Sequence, residues 1–178
     1  PNILFITDKD LMSLKLTEPT LNELRKFSSL VEIFQDVEAD PSIKTLLNAI
    51  EVGKKINATG VIGFGGGSSM DVAKLASLIL GSNENIEDAW GVSNAKGPRL
   101  PLVLVPTTAG TGSEVTPISI ITVGEEEKKG VSSAIILPDI AILDPDLTIG
   151  LPSHTTAATG IDAMVHAIEA YTSASKNN

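Results

Sequence analysis

Residues 61–80 read VIGFGGGSSMDVAKLASLIL, and this stretch decides the fold class. The apolar run at 61–64 predicts a buried strand, and residues 71–80 predict a helix. Glycines and serines join the two. A strand, a glycine-rich turn and a helix in succession are typical of open α/β folds, in which ligands bind where the strands end. We therefore expect a ligand to bind at this turn.

The same alternation of strand and helix extends over most of the chain. Further strands are predicted at 3–8, 30–34, 102–105, 118–123 and 140–143, and further helices at 11–27, broken near 17–19, and after Asp40-Pro41. The helix after Pro41 has an apolar stripe at helical spacing, formed by Ile43, Leu46, Leu47 and Ile50. The charged segment 124–129 is predicted to be a turn. Because the strands are apolar throughout, they predict a parallel sheet with helices on both faces, a Rossmann-like α/β fold.

The composition limits the functions that the chain can have. It has 178 residues, 42% of them hydrophobic, and 22 Asp plus Glu against 13 Lys plus Arg leave a formal charge of −9. This content can bury a core, whereas the acidic balance argues against nucleic acid as a partner. No apolar run approaches the roughly 18 residues of a membrane span. The lack of cysteine excludes disulfides and Cys-ligated metals and fits a reducing compartment, so we expect a cytoplasmic protein with no membrane partner.

Two domains are predicted, at residues 1–150 and 151–178. The second range contains one long helical pattern that begins near Ser153. A lone amphipathic helix needs another surface to pack against. We expect it to be the first helix of an all-α domain that this sequence does not contain. The start is expected to be clipped as well, since Pro1 is not an initiator methionine.

The glycine loop, residues 63–71, is a candidate phosphate site. Its backbone can approach an anion closely, and the free N–H groups and positive dipole end of the following helix favour a phosphate. The alternative is a tight turn in which Ser68 caps the helix and Asp71 completes a capping box. The loop is not a Rossmann fingerprint, since Ser68 replaces the third glycine, and it is not a P-loop, since no Gly-Lys-Ser/Thr follows.

The threonine loop, residues 106–114, follows the predicted strand at 102–105. Its hydroxyls and glycines form a hydrogen-bonding surface suited to the ribose, amide or phosphate groups of a ligand. The alternative is a solvated loop whose hydroxyls form local side-chain turns. Two such loops at neighbouring strand ends favour a shared ligand.

Asp162 and His166 lie four residues apart in the last predicted helix. Their side chains project from one face and can chelate one divalent ion. The alternative is a hydrogen-bonded pair on a helix or an interior histidine. Zinc-type sites use about three protein ligands, and His154 lies too far along the helix to join these two. We expect the remaining ligands to come from the absent helical domain.

Three segments together resemble the iron-containing (group III) alcohol dehydrogenase family, at residues 65–74, 106–117 and 160–171. The resemblance implies a dinucleotide-binding α/β domain followed by a helical domain, the dehydroquinate synthase-like architecture. It implies NAD or NADP as the cofactor. It also implies a divalent iron or zinc ion on one Asp and three His, of which Asp162 and His166 are present.

Position by position, the resemblance implies a set of cofactor contacts. The pyrophosphate would be held by Gly66, Gly67 and Ser68, with Asp71 beside it. The nicotinamide and ribose region would be lined by Thr107, Thr108 and Thr111, and a ribose hydroxyl would be reached by Lys128 or Lys129. NAD-preferring members place an acidic residue after the second strand, where this sequence has Gln35 followed by Asp36. The choice between NAD and NADP stays open.

The implied function is that of a metal-dependent NAD(P) alcohol dehydrogenase, which transfers a hydride between an alcohol and nicotinamide or, in reverse, to an aldehyde or ketone. We expect a small-molecule alcohol or aldehyde as substrate, a homo-oligomer, and no activity from this chain alone. One alternative is a dehydroquinate-synthase-like or glycerol-dehydrogenase-like enzyme; the first of these needs basic residues for a substrate phosphate, which this acidic chain does not display. The other alternative is a non-catalytic nucleotide-binding module.

Overall fold

The computed structural model describes residues 1–125 and 127–174. Its main sheet has five parallel strands in the order β2-β1-β3-β5-β8, and a second sheet has three strands in the order β4-β7-β6. The strands are β1 Asn2–Ile6, β2 Leu30–Phe34, β3 Gly60–Gly65, β4 Gly91–Val92, β5 Leu102–Pro106, β6 Ile118–Val123, β7 Glu127–Ser132 and β8 Ile140–Ala141. The helices are α1 Lys9–Ser13, α2 Glu18–Phe27, α3 Ile43–Lys55, α4 Gly67–Ser82, α5 Ile86–Ala89 and α6 Ser153–Thr172. The predicted parallel α/β sheet is confirmed.

Apolar side chains of the main sheet alternate between two cores. Leu4 and Leu104 face the larger core together with α3 and α4, whereas Phe5 and Phe64 face a smaller one that contains residues of α1 and α2. The Phe5 and Phe64 rings stack with their centroids 5.7 Å apart. Helices therefore cover both faces of the sheet, which explains why its strands are apolar at nearly every position.

The second sheet corrects two predictions. Residues 118–123 form β6, but this strand pairs antiparallel with β7 outside the main sheet. The turn predicted at 124–129 is only partly right: Gly124 and Glu125 form a turn, but Glu127–Ser132 is a strand that contains both Lys128 and Lys129. Its first residues are exposed and charged, whereas Val131 is buried, so the strand has no local apolar run. Its pairing with β6 is a contact between segments and leaves little local signal.

Helix starts also differ from the predictions. Helix α4 begins at Gly67, with Gly66 as its N-cap, so the alternative in which Ser68 caps the helix is wrong. Helix α3 begins after Pro41, and the hydroxyl of Ser42 caps it by accepting from the Thr45 N–H. The predicted stripe of α3 is only partly right: Leu46 and Ile50 are buried and Ile43 packs against the core, whereas Leu47 is 46% exposed.

Helix α6 projects apolar residues into solvent. All of its described residues are at least partly exposed, including Ile161, Met164, Val165 and Ile168. Its backbone lies against the threonine loop, where a Cβ on Gly110 would overlap the Thr159 carbonyl oxygen.

The division into domains at 1–150 and 151–178 stays a prediction. Across the described ranges, no helix combines the length and the apolar character that a bilayer crossing requires.

Candidate functional site

A cleft of about 780 Å³ opens where β3 and β5 end. These strands are neighbours, and Gly65 of β3 is paired with Pro106 of β5, so the glycine loop and the threonine loop leave the sheet at one level. Both loops line the cleft, through residues 66–69 and 107–108. The rest of the wall comes from the segments that follow β1 and β2, from residues 147–152 and from the start of α6. The sequence-predicted loops therefore meet at one site.

The glycine loop offers an open helix terminus. Helix α4 has 16 residues, and no side chain within the described ranges caps its start. The first N–H groups and the positive dipole end are thus left to solvent or to an anion. Gly66 has an ordinary extended backbone, with φ −75° and ψ −174°. A Cβ there would lie 3.6 Å from Thr108 and would project into the space between the two loops.

The threonine loop is attached to the glycine loop and has one hydroxyl without a partner. The Thr107 N–H donates to the Gly65 carbonyl oxygen at 3.0 Å. Thr108 Oγ1 is buried and makes no hydrogen bond within residues 1–125 and 127–174. Leaving such a group unpaired costs about 1–3 kcal/mol. Because Thr108 faces Gly66, its hydroxyl is placed to bond a ligand that occupies the glycine loop.

Thr111 and Asp71 are less directly exposed to the cleft. The part of the cleft wall that the structure describes includes neither residue. A Cβ on Gly67 would lie 3.0 Å from the Thr111 methyl group, so Thr111 packs against the glycine loop from behind. The Asp71 carboxylate accepts from Ser113 Oγ at 2.7 Å and from the Ile120 N–H at 2.9 Å. Both remain predicted cofactor contacts, but Asp71 is already bonded within the protein.

Lys74 is a residue that sequence reasoning missed. It is fully buried in α4 and lies 3.8 Å from the Asp71 carboxylate. Burial raises the pKa of Asp71, against the hydrogen bonds from Ser113 and Ile120 and the charge of Lys74. Burial likewise lowers the pKa of Lys74 to about 8, against the charges of Asp71 and Glu114. The available signal was a single lysine one turn after Asp71 in an otherwise apolar helix.

The predicted ribose contacts all form ion pairs within the protein. Asp36 is exposed and forms an ion pair with Lys9 at 2.7 Å, and its carboxylate raises the pKa of Lys9. Lys9 lines the cleft, whereas the described cleft wall does not include Asp36. Lys128 pairs with Asp40, and Lys129 lies 4.0 Å from Glu87. The assignments of Asp36, Lys128 and Lys129 stay predictions.

Two further cleft residues were not predicted. Asp8 follows β1 and caps α1 by accepting from the Leu11 N–H at 2.9 Å, and burial raises the pKa of its carboxyl. A polar residue directly after an apolar strand was the available signal. His154 lies in the first turn of α6 and also lines the cleft. Its position depends on the path of the chain between β8 and α6.

Asp162 and His166 lie together on α6. The Asp162 carboxylate oxygen is 3.6 Å from His166 Nε2, and the side chains are 44% and 56% exposed. A carboxylate oxygen and an imidazole nitrogen are suitable donors for iron or zinc. No group of three or more potential ligands occurs among the described residues, so Asp162 and His166 form at most a two-residue site there. Their role in metal binding stays a prediction.

Comparisons with known proteins agree with this geometry. The family model described as iron-containing alcohol dehydrogenase matches residues 1–145. Long-chain-alcohol dehydrogenase 1 of Geobacillus thermodenitrificans is 40% identical over 175 residues, which cover 97% of this chain and 44% of that protein. The chain thus spans less than half the length of this relative.

Solved structures show the same similarity. Alcohol dehydrogenase from Oenococcus oeni superposes with a TM-score of 0.94 at 36% identity, covering 99% of this chain and 47% of that one. Sulfoacetaldehyde reductase from Bifidobacterium kashiwanohense, solved in complex with NAD+, gives 0.84 at 32% identity, with 96% and 45% covered. Since the family model matches 145 of 178 residues, this chain belongs to the iron-containing alcohol dehydrogenase family.

Proposed function

We propose that this chain forms the dinucleotide-binding part of a metal-dependent NAD(P) alcohol dehydrogenase that acts on a small-molecule alcohol or aldehyde. One observation carries the proposal. Two features meet in one cleft among the described residues. Helix α4 begins at Gly67, after Gly66, with no side chain capping it, and the buried hydroxyl of Thr108 has no hydrogen-bond partner. The relative solved with NAD+ supports a nicotinamide dinucleotide as the ligand.

The cofactor would lie across the two loops. Gly66, Gly67 and Ser68 would bind the pyrophosphate through N–H groups at the start of α4, where the helix dipole favours negative charge. The Thr108 hydroxyl would donate to an oxygen of the nicotinamide ribose, which would give a partner to a hydroxyl that is buried without one among the described residues. When bound, the nicotinamide ring supplies the hydride acceptor or donor. The protein orients the ring and excludes water.

Asp162 and His166 would supply two ligands of a divalent metal. Gly110 of the threonine loop contacts the backbone of α6 at Thr159, one turn before Asp162, so the two candidate sites are on adjoining elements. A bound metal supplies Lewis acidity to the alcohol or carbonyl oxygen. The family description favours iron, while the donor atoms also accept zinc. The other ligands must come from water or from groups beyond the described residues.

Calorimetric titration of this chain with NAD+ and with NADP+ tests the proposal. We expect at least one of them to bind, with weak affinity because this chain spans less than half the length of its relative, and we expect the two to compete because they share the glycine loop. Both cofactors are tested because Asp36, the acidic residue that would favour NAD, is already paired with Lys9. If neither binds at millimolar concentration to folded protein, the dinucleotide site is refuted.

Cytoplasmic location and homo-oligomeric assembly remain part of the proposal, and light scattering tests the assembly.

A further inference from the structure

A buried charged network connects the two loops that border the cleft. Lys74 Nζ donates to Ser113 Oγ at 2.8 Å and to the Ile118 carbonyl oxygen at 2.7 Å. Ser113 Oγ in turn donates to the Asp71 carboxylate at 2.7 Å, and the other Asp71 oxygen accepts from the Ile120 N–H. A single hydroxyl, that of Ser113, thus accepts from the lysine and donates to the aspartate.

The stability of the fold does not account for this network. Helix α4 is buried on nearly all sides, and its other buried residues are apolar or small. Desolvating an ammonium group and a carboxylate is costly, and apolar residues of similar volume are often as stable or more stable in such places. Glu114 is the further charged group that acts on Lys74. A functional reason for retaining Lys74 and Asp71 is therefore needed.

The position of the network supplies that reason. The threonine loop is held at its start by the Thr107 N–H bond to Gly65 and at its end by Ser113, which is bonded to Lys74 and Asp71 of α4. Between these two attachments lie Thr108, which faces Gly66, and Thr111, which packs against Gly67. The helix that carries the glycine loop therefore sets the distance between the two loops.

The threonine loop also determines which part of a dinucleotide depends on the network. Its Gly110 contacts α6 one turn before Asp162. A dinucleotide whose diphosphate lies on the glycine loop must cross the threonine loop for its reactive end to reach α6. The diphosphate depends mainly on α4, whereas the reactive end depends on the loop that Ser113 holds.

We propose that Lys74 is a positioning residue that acts through Ser113 to hold the threonine loop in place for the nicotinamide half of the cofactor. This inference rests on the proposed function. Lys74 touches neither cofactor nor substrate; it acts by fixing Thr108 and Thr111 relative to the glycine loop. Asp71 takes part as the acceptor that orients the Ser113 hydroxyl.

The test compares NAD+ with ADP, which carries the diphosphate but no nicotinamide. Lys74→Met keeps an unbranched side chain that is one atom shorter and removes its charge and donors. We expect it to weaken NAD+ binding about tenfold or more while ADP binding changes less than about threefold. The control is Ser77→Ala. Ser77 is equally buried on α4, but its hydroxyl bonds only to the Lys74 carbonyl oxygen of the same helix, so both ligands should bind as to wild type.

Ser113→Ala provides a second route to the same answer, should Lys74→Met fail to fold. Circular dichroism identifies the folded variants. Ser113→Ala should also weaken NAD+ selectively, and the double variant should lose no more than the larger single loss, because both residues act through one attachment. Wild-type NAD+ affinity in both single variants, or equal losses for NAD+ and ADP, would overturn the positioning role. Failure of the wild-type chain to bind either ligand would instead refute the proposed function on which it rests.

Discussion

Replacing Gly66 by alanine separates ligand binding from folding at the glycine loop. The backbone at Gly66 is extended and accepts any residue, and the new Cβ would lie 3.6 Å from Thr108, an ordinary contact. Reduced freedom of the unfolded chain stabilises such a variant by about 0.4–1 kcal/mol. Alanine is a poorer N-cap than glycine by a similar amount. The free energy of unfolding should therefore change by less than about 1 kcal/mol.

Binding should change much more. The methyl group would occupy the space in which a phosphate approaches the first N–H groups of α4, and a hydrogen bond to a charged group contributes about 1.5–3 kcal/mol. Losing one such bond corresponds to a rise in the dissociation constant of about ten- to a hundredfold. Gly67 is a poorer choice, because its Cβ would press on the Thr111 methyl group at 3.0 Å and disturb the loop itself.

Calorimetry with NAD+ and urea unfolding, on the same preparations, provide the two measurements. Gly130→Ala is the matched control, since Gly130 lies in β7 and its Cβ would be 3.4 Å from the nearest atom, the Ser119 carbonyl oxygen. This control should leave NAD+ affinity unchanged. Gly66→Ala protein that is folded and binds NAD+ within about threefold of wild type would contradict the assignment of the phosphate to this loop.

Three further predictions concern charged groups. Burial lowers the pKa of Lys74 from 10.5 to about 8, so the unfolded state binds more protons than the folded state between these pH values. The stability of wild type relative to Lys74→Met should therefore rise from pH 8 to 10. Urea midpoints of the two proteins that run parallel across this range would contradict the buried charge. Arg99 and the Leu102 N–H hold the pKa of the Asp139 carboxyl down to about 2, so the stability that Asp139 adds is present above pH 4 and is lost as the pH falls through 2. The advantage of wild type over Asp139→Asn in thermal melts should shrink over that window, and a constant advantage would refute the assignment. His166→Ala should abolish the weak zinc binding that two ligands give this chain, measured by calorimetric titration with zinc, and should leave NAD+ affinity within about threefold, because the metal and phosphate sites are separate. Unchanged zinc affinity would rule out His166 as a ligand.

Local patterns were sufficient for the main sheet and for the positions of the glycine loop and the threonine loop. The strand at 30–34 was predicted with the bounds that the structure shows, because an apolar, β-branched run is a signal contained in five adjacent residues. The glycine loop was located for the same reason, since closely spaced glycines between an apolar strand and a helix are visible without knowledge of any neighbour. The i, i+4 spacing likewise predicted that Asp162 and His166 would lie side by side.

Contacts between distant segments decided the rest. Lys74 resembles a solvated helix charge in the sequence, but the segment at Ser113 and Ile118, 39 and 44 residues away, covers it and supplies its hydrogen-bond partners. The strand β7 is recognisable only once β6 pairs with it, because its own first residues are charged. The hydrophobic period of a segment is a local property, whereas the surface that covers each of its faces depends on how the whole chain packs. For this reason the sheet and the glycine loop could be predicted from adjacent residues, while the network of Lys74, Ser113 and Asp71 could not.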